Sequence, residues 1–592
     1  MTATVASANR RFQLILIKPS HYGDDGYVIR WLRSNIPANS LAALYGLTLD
    51  CGERQVLGPD VAIDITPIDE SNTPIRFGKL IAKMKRHDGF GMVGLVGVQS
   101  NQYPRALDIA REFRRAGIQV MMGGFHPSGC LAMLDGHAVD LDAARELGVS
   151  IFAGEAEERL DEVLKDAAAG RLKPLYNYMS DLPAIEDAPI PFLPATHTRR
   201  TLGNNSSYDA GRGCPFQCSF CTIINVQGRK SRRRSPDDIE RIIRENARQG
   251  VCRFFITDDN FARNKDWEAI FDRIIALKEH DGIESRMVIQ VDTLCHRIPN
   301  FIEKAKRAGV TRVFIGLENI NPDNLMAAKK RQNKITEYRK MLHAWRRQGI
   351  ITYAGYILGF PADTPDSIRE DIEIIKRELP LDILEFFCLT PLPGSEDHQK
   401  LWRHGVAMDS DLNNYDLEHV VTGHSRMSKA EWEGIYRAAW DHYYTPEHME
   451  TLLRRAVVSG QPVYSVAKML LWFSTAVRIE GVHPLQGGLV RLRRPSERRP
   501  GLPRESVLTF YPKLAWELTR KHALMIAEFY RLWRIKRRVE ADPDRFAYSD
   551  AALAPVVDDE TDTLDMFIHT SAAKDAVVHA RKIDELIHGA AR

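Results

Sequence analysis

Three cysteines lie close together near the middle of the chain, at Cys214, Cys218 and Cys221. Their C-x-x-x-C-x-x-C spacing offers three thiolates to a four-iron cluster and leaves one iron free to bind a ligand. Gly213 and Pro215 allow the chain to loop tightly around such a metal group. A structural zinc loop is the alternative, but zinc would normally need a fourth nearby Cys or His, and none follows soon after Cys221.

Length and composition limit the classes of protein to which this chain can belong. A chain of 592 residues is expected to form about three domains. The net charge of +3, from 81 basic and 78 acidic residues, gives no reason to expect a nucleic-acid partner. The other five of the eight cysteines are scattered, which argues against a disulfide framework and for a reducing, cytoplasmic location. We see no signal peptide and no apolar stretch long enough to span a bilayer.

The N-terminal third alternates short apolar runs with helical segments. Strands are predicted at residues 12–17, 92–98, 119–122 and 149–152. This order predicts a doubly wound, Rossmann-like sheet, whose ligands bind beyond the carboxyl ends of its strands. The residues that the sequence places at those ends are Ser100, Asn101, Gly123, Gly124, His126, Gly154 and Glu155.

The middle third repeats strand and helix six times. Strands are predicted at residues 207–210, 253–257, 287–291, 312–317, 352–358 and 383–389, with helices between them. The pattern predicts a partial (β/α)6 barrel, in which function gathers at the carboxyl ends of the strands. The polar, aromatic and glycine residues expected at that end are Phe220, Asp258, Asp259, Asn260, Gln290, Glu318 and Gly359.

Taken in order, these motifs resemble the cobalamin-dependent radical S-adenosylmethionine (radical SAM) family. The resemblance covers the upstream G-G-x-H-P-S and G-E-x-E loops, the cysteine motif, and the G-F-P and T-P-x-P-G-S ends of the last two barrel strands. It implies an N-terminal cobalamin-binding domain and a radical SAM core that holds a 4Fe-4S cluster and S-adenosyl-L-methionine (SAM). Asp363 stands where relatives carry glutamate, which leaves any contact from that position open.

The resemblance also implies roles for single residues. The three cysteines would bind the cluster, Phe220 would lie near the adenine of SAM, and Asp258, Asp259 and Asn260 would help to orient its amino group. Glu318 would lie near the ribose, with a salt bridge at the barrel rim as the alternative. Gln290 and Gly359 complete the expected SAM site. The upstream loop residues named above would contact cobalamin.

The sequence predicts no histidine on cobalt. Domains with a histidine ligand carry D-x-H-x-x-G, but Asp135-Gly136-His137 has no glycine three positions after the histidine. His126 is therefore interpreted as a loop contact, with a purely hydrogen-bonded role as the alternative. A flavodoxin-like domain that holds no cobalamin also stays open.

The predicted domains are 1–190 (cobalamin-binding), 191–400 (radical SAM core) and 401–592 (helical). After residue 394 the strand pattern stops. Residues 463–479 favour a buried helix over one in a membrane interface, residues 516–538 predict a helix with a basic end, and residues 558–563 predict a weakly structured link. The basic run 228–236 favours a solvated turn over an anion contact, with Ser235 capping a helix that starts at Pro236.

The function implied by the resemblance is reductive cleavage of SAM to a 5′-deoxyadenosyl radical, most readily for methyl transfer to an unactivated carbon. An oxidative cyclase and a non-catalytic cobalamin or iron-sulfur sensor are the alternatives; a methylthiotransferase would need more N-terminal cysteines. No residue is assigned a direct catalytic role. The expected partners are a small-molecule substrate of hydrophobic or lipid-like character and an external electron donor of flavodoxin or ferredoxin type. Peripheral membrane contact stays open.

Overall fold

The computed structural model describes residues 10–134 and 141–589. Its N-terminal domain is a parallel sheet of six strands in the order β3-β1-β4-β5-β6-β7. The strands are β1 (Arg10–Lys18), β3 (Val61–Asp69), β4 (Gly91–Leu95), β5 (Val120–Gly123), β6 (Ser150–Ala153) and β7 (Leu175–Asn177), with a short β2 (Trp31–Ser34) outside this sheet. The helices are α1 (Asn39–Glu53), α2 (Phe77–Lys85), α3 (Tyr103–Arg115), α4 (Phe125–Met133), α5 (Asp142–Glu146) and α6 (Leu160–Ala168). The order reverses between β1 and β4, which is the ligand-binding switch point of a doubly wound sheet.

This domain confirms the predicted Rossmann-like fold and its four strands, and it adds β3 and β7. Strand β3 lies at the sheet edge and contains Asp64 and Pro67. Proline in a strand is tolerated at an edge, but together with the aspartate it hides the apolar pattern that the other strands show.

The central domain is a second parallel sheet of six strands, in the order β15-β14-β13-β12-β11-β8. Its strands are β8 (Asn205–Tyr208), β11 (Arg253–Ile256), β12 (Arg286–Val291), β13 (Val310–Glu318), β14 (Ile351–Leu358) and β15 (Ile383–Cys388); β9 (Gly211–Arg212) and β10 (Arg232–Arg233) form a separate pair. Its helices are α7 (Ala195–Thr198), α8 (Ile223–Val226), α9 (Pro236–Arg248), α10 (Trp267–Asp281), α11 (Phe301–Ala308), α12 (Pro322–Ala327), α13 (Ile335–Arg347), α14 (Pro365–Glu378) and α15 (Glu396–Arg403). The predicted partial (β/α)6 barrel is confirmed.

The C-terminal region is mainly helical. It contains α16 (Lys429–Tyr443), α17 (Pro446–Val458), α18 (Val463–Thr475), α19 (Val507–Ala541), α20 (Asp565–Ile568) and α21 (Ser571–Gly589), and one strand, β16 (Gly488–Arg491). The expectation that no strand follows residue 394 is wrong, because β16 pairs antiparallel with β2. Helix α18 is largely buried. This agrees with the buried helix that the sequence favours for residues 463–479 over a helix in a membrane interface.

The C-terminal helices share one hydrophobic core with the barrel. Buried side chains of α16, α17, α18 and α20 pack into the cluster that also holds the barrel strands. The prediction of a weakly structured link at 558–563 is wrong: a 3-10 turn forms at Asp558–Asp562, and the buried Glu560 accepts a hydrogen bond of 3.1 Å from Arg339 of α13. In the described part of the chain, no helix is long and apolar enough to cross a membrane.

Candidate functional site

The cysteine loop connects the paired strands β9 and β10 at the end of the first barrel strand. Gly213 has a φ of +89°, and a Cβ there would lie 2.6 Å from the carbonyl oxygen of Lys230. Glycine is therefore required at this turn. The amide of Cys214 donates to the carbonyl of Gly228 at 3.2 Å, and the amide of Cys221 donates to that of Cys218 at 3.2 Å. The loop folds back on itself as the cysteine spacing predicts.

The three thiols lie in a shielded environment. Burial, with a smaller effect of the nearby Asp259, raises the pKa of Cys214 to about 11 and that of Cys221 to about 12. Thiolates are therefore stable here only with added positive charge, such as iron supplies. Lys330 interacts with Cys218 and Cys221, and the Gln332 amide donates to the Cys218 sulfur at 3.4 Å.

Three cysteines on one loop are the donors that an iron-sulfur cluster takes. Within residues 10–134 and 141–589, no three His, Cys, Asp or Glu side chains are arranged around one metal-ion position. In a four-iron cluster each cysteine binds a different iron, so the three sulfurs need not converge on one point. The residues present fit a cluster with one iron left open.

Buried ion pairs join the cysteine loop to the N-terminal sheet. Arg212, two residues before Cys214, contacts Glu155 and Glu157 at 2.7 Å each and Asp209 at 3.0 Å. Arg232, on the other side of the loop, donates to Glu155 at 2.7 Å. We call Glu155, Glu157, Arg212 and Arg232 the interdomain clamp. The carboxylate of Glu155, expected as a cofactor contact, is thus held by two arginines.

The clamp also corrects the interpretation of the basic run 228–236 as a solvated turn. Arg232 is mostly buried in the clamp, and Arg234 is fully buried and donates to the carbonyl of Asp209 at 3.0 Å. The capping prediction is confirmed, because the Ser235 hydroxyl accepts from the amide of Asp238 and Pro236 opens α9. Sequence reasoning missed the role of these arginines because their acidic partners lie far away in the chain.

A cavity of about 680 Å³ lies between the two sheets. The N-terminal sheet contributes Asn101, Gly123, Gly124, Gly154 and Glu155 to its wall, the barrel contributes Thr257, Asp259 and Phe387, and the C-terminal region contributes His483, Leu485 and Gln486. The carboxyl ends of both sheets therefore face one space. Five of the seven loop residues predicted from the sequence line it.

Glycine is required at two positions of this wall. Gly124 has a φ of +144°, and a Cβ there would lie 2.2 Å from the amide nitrogen of Val98. Gly154 has a φ of +105°, with Tyr178 at 3.1 Å from a built Cβ. Both glycines line the cavity, and without side chains they let a large flat ligand approach the backbone closely.

The structure does not bring Ser100 and His126 to the cavity. His126 is buried behind its wall, where Nδ1 lies 3.2 Å from the Ser100 hydroxyl and the ring packs against Tyr103 at 4.5 Å. Burial lowers the pKa of His126 to about 3. The hydrogen-bonded alternative describes this histidine. The segment Asp135-Gly136-His137, which the sequence analysis compares with the D-x-H-x-x-G motif, lies outside the described residues.

Three of the predicted barrel residues tie strand ends together. Asp258 is buried and accepts from the amides of Ala210 and Gly211 at 2.7 and 2.8 Å, and burial raises its pKa to about 7. The Gln290 amide donates to the carbonyl of Asp258 at 3.1 Å. The Asn260 amide donates to Asp292 at 2.9 Å. Asp258 thereby holds the start of the cysteine loop.

Asp259 is the carboxylate that faces both the cysteines and the cavity. It lines the cavity and acts electrostatically on Cys214 and Cys221. Burial raises its pKa to about 7, although part of the side chain stays accessible. A cationic group placed between cluster and cavity would stabilise its charged form.

The last three predicted residues lie around the cysteine loop. Glu318 forms an ion pair with the buried Lys330, which is the rim salt bridge kept as its alternative. The Lys330 ammonium lies 5.8 Å from the Phe220 ring, and Phe220 packs edge-on against Phe360 at 6.4 Å. A Cβ on Gly359 would lie 1.8 Å from Trp432 of α16, so this glycine makes room for the C-terminal region.

The structure also explains Asp363, which stands where relatives carry glutamate. Its carboxylate accepts from the amides of Gly359 and Phe360 at 2.8 and 3.0 Å and from the Asn324 amide at 2.6 Å. The shorter side chain thus closes the turn after β14.

Sequence reasoning missed Glu385 on β15. It is fully buried, and among the described residues neither carboxyl oxygen has a hydrogen-bond partner. Burial, with Glu318 nearby, raises its pKa well above the usual value. A single charged residue in an apolar strand is usually expected to face solvent, so no local signal would have found it.

The family comparison decides the identity of the central domain. The model of the radical SAM superfamily matches residues 208–375, which run from the end of β8 into α14 and include the three cysteines. The chain is a radical SAM enzyme.

Relatives extend the likeness of this radical SAM enzyme beyond the barrel. The chain is 28% identical over 352 residues to the bacteriochlorophyllide d C-8(2)-methyltransferase of Chlorobaculum tepidum, covering 57% of this chain and 74% of that protein. It is 27% identical over 368 residues to the C-12(1)-methyltransferase of the same organism, covering 60% and 74%. The resemblance to cobalamin-dependent radical SAM enzymes, expected from the sequence, is confirmed.

A solved structure shows the same fold. The radical SAM methyltransferase TsrM from Kitasatospora setae, with cobalamin and a 4Fe-4S cluster bound, matches with a TM-score of 0.56 and 15% identity, covering 73% of this chain and 88% of TsrM. The pairing of a Rossmann-like sheet with a radical SAM barrel is therefore that of a known enzyme.

Proposed function

We propose that this radical SAM enzyme is a cobalamin-dependent C-methyltransferase. The observation that carries the proposal is the single cavity lined by the carboxyl ends of both sheets. Methyl transfer to a carbon needs the cobalt face and the 5′-carbon of SAM to reach one substrate. Its methyltransferase relatives favour this reaction over the cyclase and sensor alternatives.

The position of each residue determines its proposed role. Cys214, Cys218 and Cys221 would hold the 4Fe-4S cluster. Asp259 lies close to the cysteine loop, so it would accept a hydrogen bond from the amino group of a SAM molecule bound at the open iron. Gly124 and Gly154 would let cobalamin lie against the sheet. When bound, the cluster supplies the electron that cleaves SAM and cobalamin carries the methyl group.

The chain itself positions these groups and excludes water. The interdomain clamp holds the cysteine loop against the N-terminal sheet through buried ion pairs. This contact fixes the distance between the two cofactor sites. Reacting groups held at a fixed distance react within one complex instead of having to meet by diffusion. Residues of the C-terminal region form part of the cavity wall.

The substrate is proposed to be a small hydrophobic molecule. The cavity wall contains many apolar side chains, among them Leu44, Met92, Met121, Phe387 and Leu485. A pocket of this kind binds apolar ligands and uses a few polar groups for orientation. The electron donor is proposed to be a separate flavodoxin or ferredoxin type protein.

The test is anaerobic turnover with methyl-labelled SAM and a candidate hydrophobic substrate. We expect label on a carbon of the product, with 5′-deoxyadenosine and S-adenosylhomocysteine in comparable amounts. Product with 5′-deoxyadenosine but without label or S-adenosylhomocysteine would favour an oxidative cyclase. Bound cobalamin and cluster without any 5′-deoxyadenosine would favour a sensor. Cys218→Ala should abolish all products, and Cys252→Ala, outside the loop, serves as the matched control.

A further inference from the structure

Helix α19 presents a long row of exposed apolar side chains. The helix has 35 residues and is therefore about 52 Å long. Leu508, Trp516 and Ile526 are 85%, 70% and 67% exposed. Other large apolar side chains of the helix are also exposed: Val507, Tyr511, Leu524, Phe529, Tyr530 and Trp533.

Most of these side chains point away from the anchored side of the helix. Leu508, Ile526, Tyr530 and Trp533 follow each other at spacings that place them on one side of a helix, and Trp516 flanks that side. The opposite side is anchored to the protein by Phe510, Lys521, Leu532, Ile535 and Val539, which are buried. Phe510 packs against Tyr27 at 5.4 Å. The exposed row is therefore presented outward by a fixed helix, and an exposed apolar patch of this size indicates an interaction surface.

The charges of the helix indicate the kind of partner. Its exposed basic residues are Lys513, Arg520, Arg534, Arg537 and Arg538, whereas Glu540 is its one exposed acidic residue. Glu517 and Glu528 are partly buried and pair with neighbouring cations. Arg537 lies over the ring of Trp533 at 5.5 Å, at the basic end of the row. Lys513 pairs with Glu505, and Arg538 pairs with Glu450. The helix thus combines apolar and aromatic side chains with an excess of exposed positive charge, carried by Arg520, Arg534 and Arg537.

We propose that α19 docks this enzyme on the surface of an anionic lipid bilayer, lying in the membrane plane. Aromatic and aliphatic side chains would enter the boundary between headgroups and acyl chains, and the arginines and lysines would contact lipid phosphates. The anchored opposite side and the charges keep the helix from crossing the bilayer. A second copy of the chain fits less well, because two such faces would bring basic residues together, and the one exposed carboxylate of the helix, Glu540, already pairs with Lys536.

This proposal does not depend on the proposed methyl transfer, because it concerns the outer surface of the protein. It would bring the enzyme to the phase in which hydrophobic small molecules dissolve. A failure of vesicle binding would leave the reaction untouched, and a failure of the reaction would leave vesicle binding untouched.

The test is flotation of the intact protein with vesicles of phosphatidylcholine alone or mixed with phosphatidylglycerol. We expect binding to the mixed vesicles that weakens as salt is added, because exposed charges are screened. The variant W516S/I526S/W533S should bind at least about tenfold more weakly. R534Q/R537Q should lose about fivefold per residue on mixed vesicles. Met326→Ser removes a similarly exposed apolar side chain from another helix and should change nothing.

The variants alter exposed side chains, so each should keep the thermal unfolding temperature of the parent, which verifies folding. Unchanged vesicle binding by W516S/I526S/W533S would overturn the proposal. So would equal binding to neutral and anionic vesicles, or absence of binding to both at low salt. Sedimentation showing a dimer that the same triple variant dissociates would assign the face to a second copy instead.

Discussion

At the scale of single residues, the cysteine loop combines a rigid backbone with thiols that resist ionisation. The backbone turn at Gly213 and the amide contacts of Cys214 and Cys221 hold the loop in its folded-back shape. The raised pKa values of two of its thiols mean that positive charge from iron would favour their thiolate form.

We expect Cys214→Ala, Cys218→Ala and Cys221→Ala each to abolish the four-iron cluster after anaerobic reconstitution. Each would remove one of three ligands, and the next cysteines are not on this loop. Cys252→Ala and Cys295→Ala should retain a full cluster, because these thiols belong to other elements. Iron and sulfide content with the visible absorption spectrum measures the result. A full cluster in the triple variant would contradict the assignment.

Glu385 predicts a pH-dependent stability. Its pKa is higher in the folded protein than in the unfolded chain, so the folded state binds the extra proton. Stability is then unaffected below the unfolded pKa, about 4.3, and falls as pH rises from that value toward the folded pKa. Glu385→Gln cannot ionise. We expect its thermal unfolding temperature to match the parent near pH 4 and to exceed it at pH 8.

The exposed Glu370 of α14 provides a comparison for this change. Glu370→Gln should shift the unfolding temperature little at either pH, because this side chain stays in contact with water in the folded protein. A Glu385→Gln protein that is less stable than the parent at pH 8 would show that the carboxylate is ionised and stabilised by an unseen partner.

At the scale of elements, the interdomain clamp joins a loop of the sheet to the cysteine loop. Glu157 is 3% exposed and lies 2.7 Å from Arg212. Removal of one member of a buried ion pair leaves its partner without compensation. We expect Glu157→Gln to lower the free energy of unfolding by about 3 kcal/mol, measured by urea denaturation. The neighbouring Glu158 is exposed, and Glu158→Gln should have no effect within about 0.5 kcal/mol.

The elements also show what the sequence could predict. Buried parallel strands such as β4 and β14 are almost uniformly apolar, so their place and the loops after them were predictable. Strand β16 was not, because its short segment pairs with β2, more than 450 residues away in the chain. The clamp also joins distant segments, because Arg212 is 57 residues from Glu155. Contacts between distant segments have no local pattern from which to predict them.

In the candidate site, too, some features were predictable from the sequence and others were not. Asn101, Gly124 and Asp259 line the cavity as strand-end residues should, since the carboxyl ends of parallel strands meet at one edge. His126 shares that chain position but faces away from the cavity. A sequence identifies which loop reaches the edge, while the orientation of each side chain depends on packing by residues from other elements.

At the scale of the whole molecule, the C-terminal residues complete the barrel rather than follow it. The carboxylate of Glu378, at the end of α14, accepts from the amides of Asp565 and Met566. Arg339 of α13 donates to Glu560 and to carbonyls of Ala551 and Ala554. The last helices therefore cover two barrel helices through both polar and apolar contacts.

A substitution at Phe567 tests whether the C-terminal helices share a core with the barrel. Its side chain is 1% exposed and belongs to the core that includes the barrel strands, whereas the adjacent Ile568 is 37% exposed. Phe567→Ala should lower the free energy of unfolding by about 3–5 kcal/mol, because it leaves a cavity in a shared core. Ile568→Ala should cost less than about 1 kcal/mol. Urea denaturation followed by tryptophan fluorescence measures both. If the C-terminal helices were a separate domain, Phe567→Ala would instead produce an early transition that leaves the main unfolding step of the barrel unchanged.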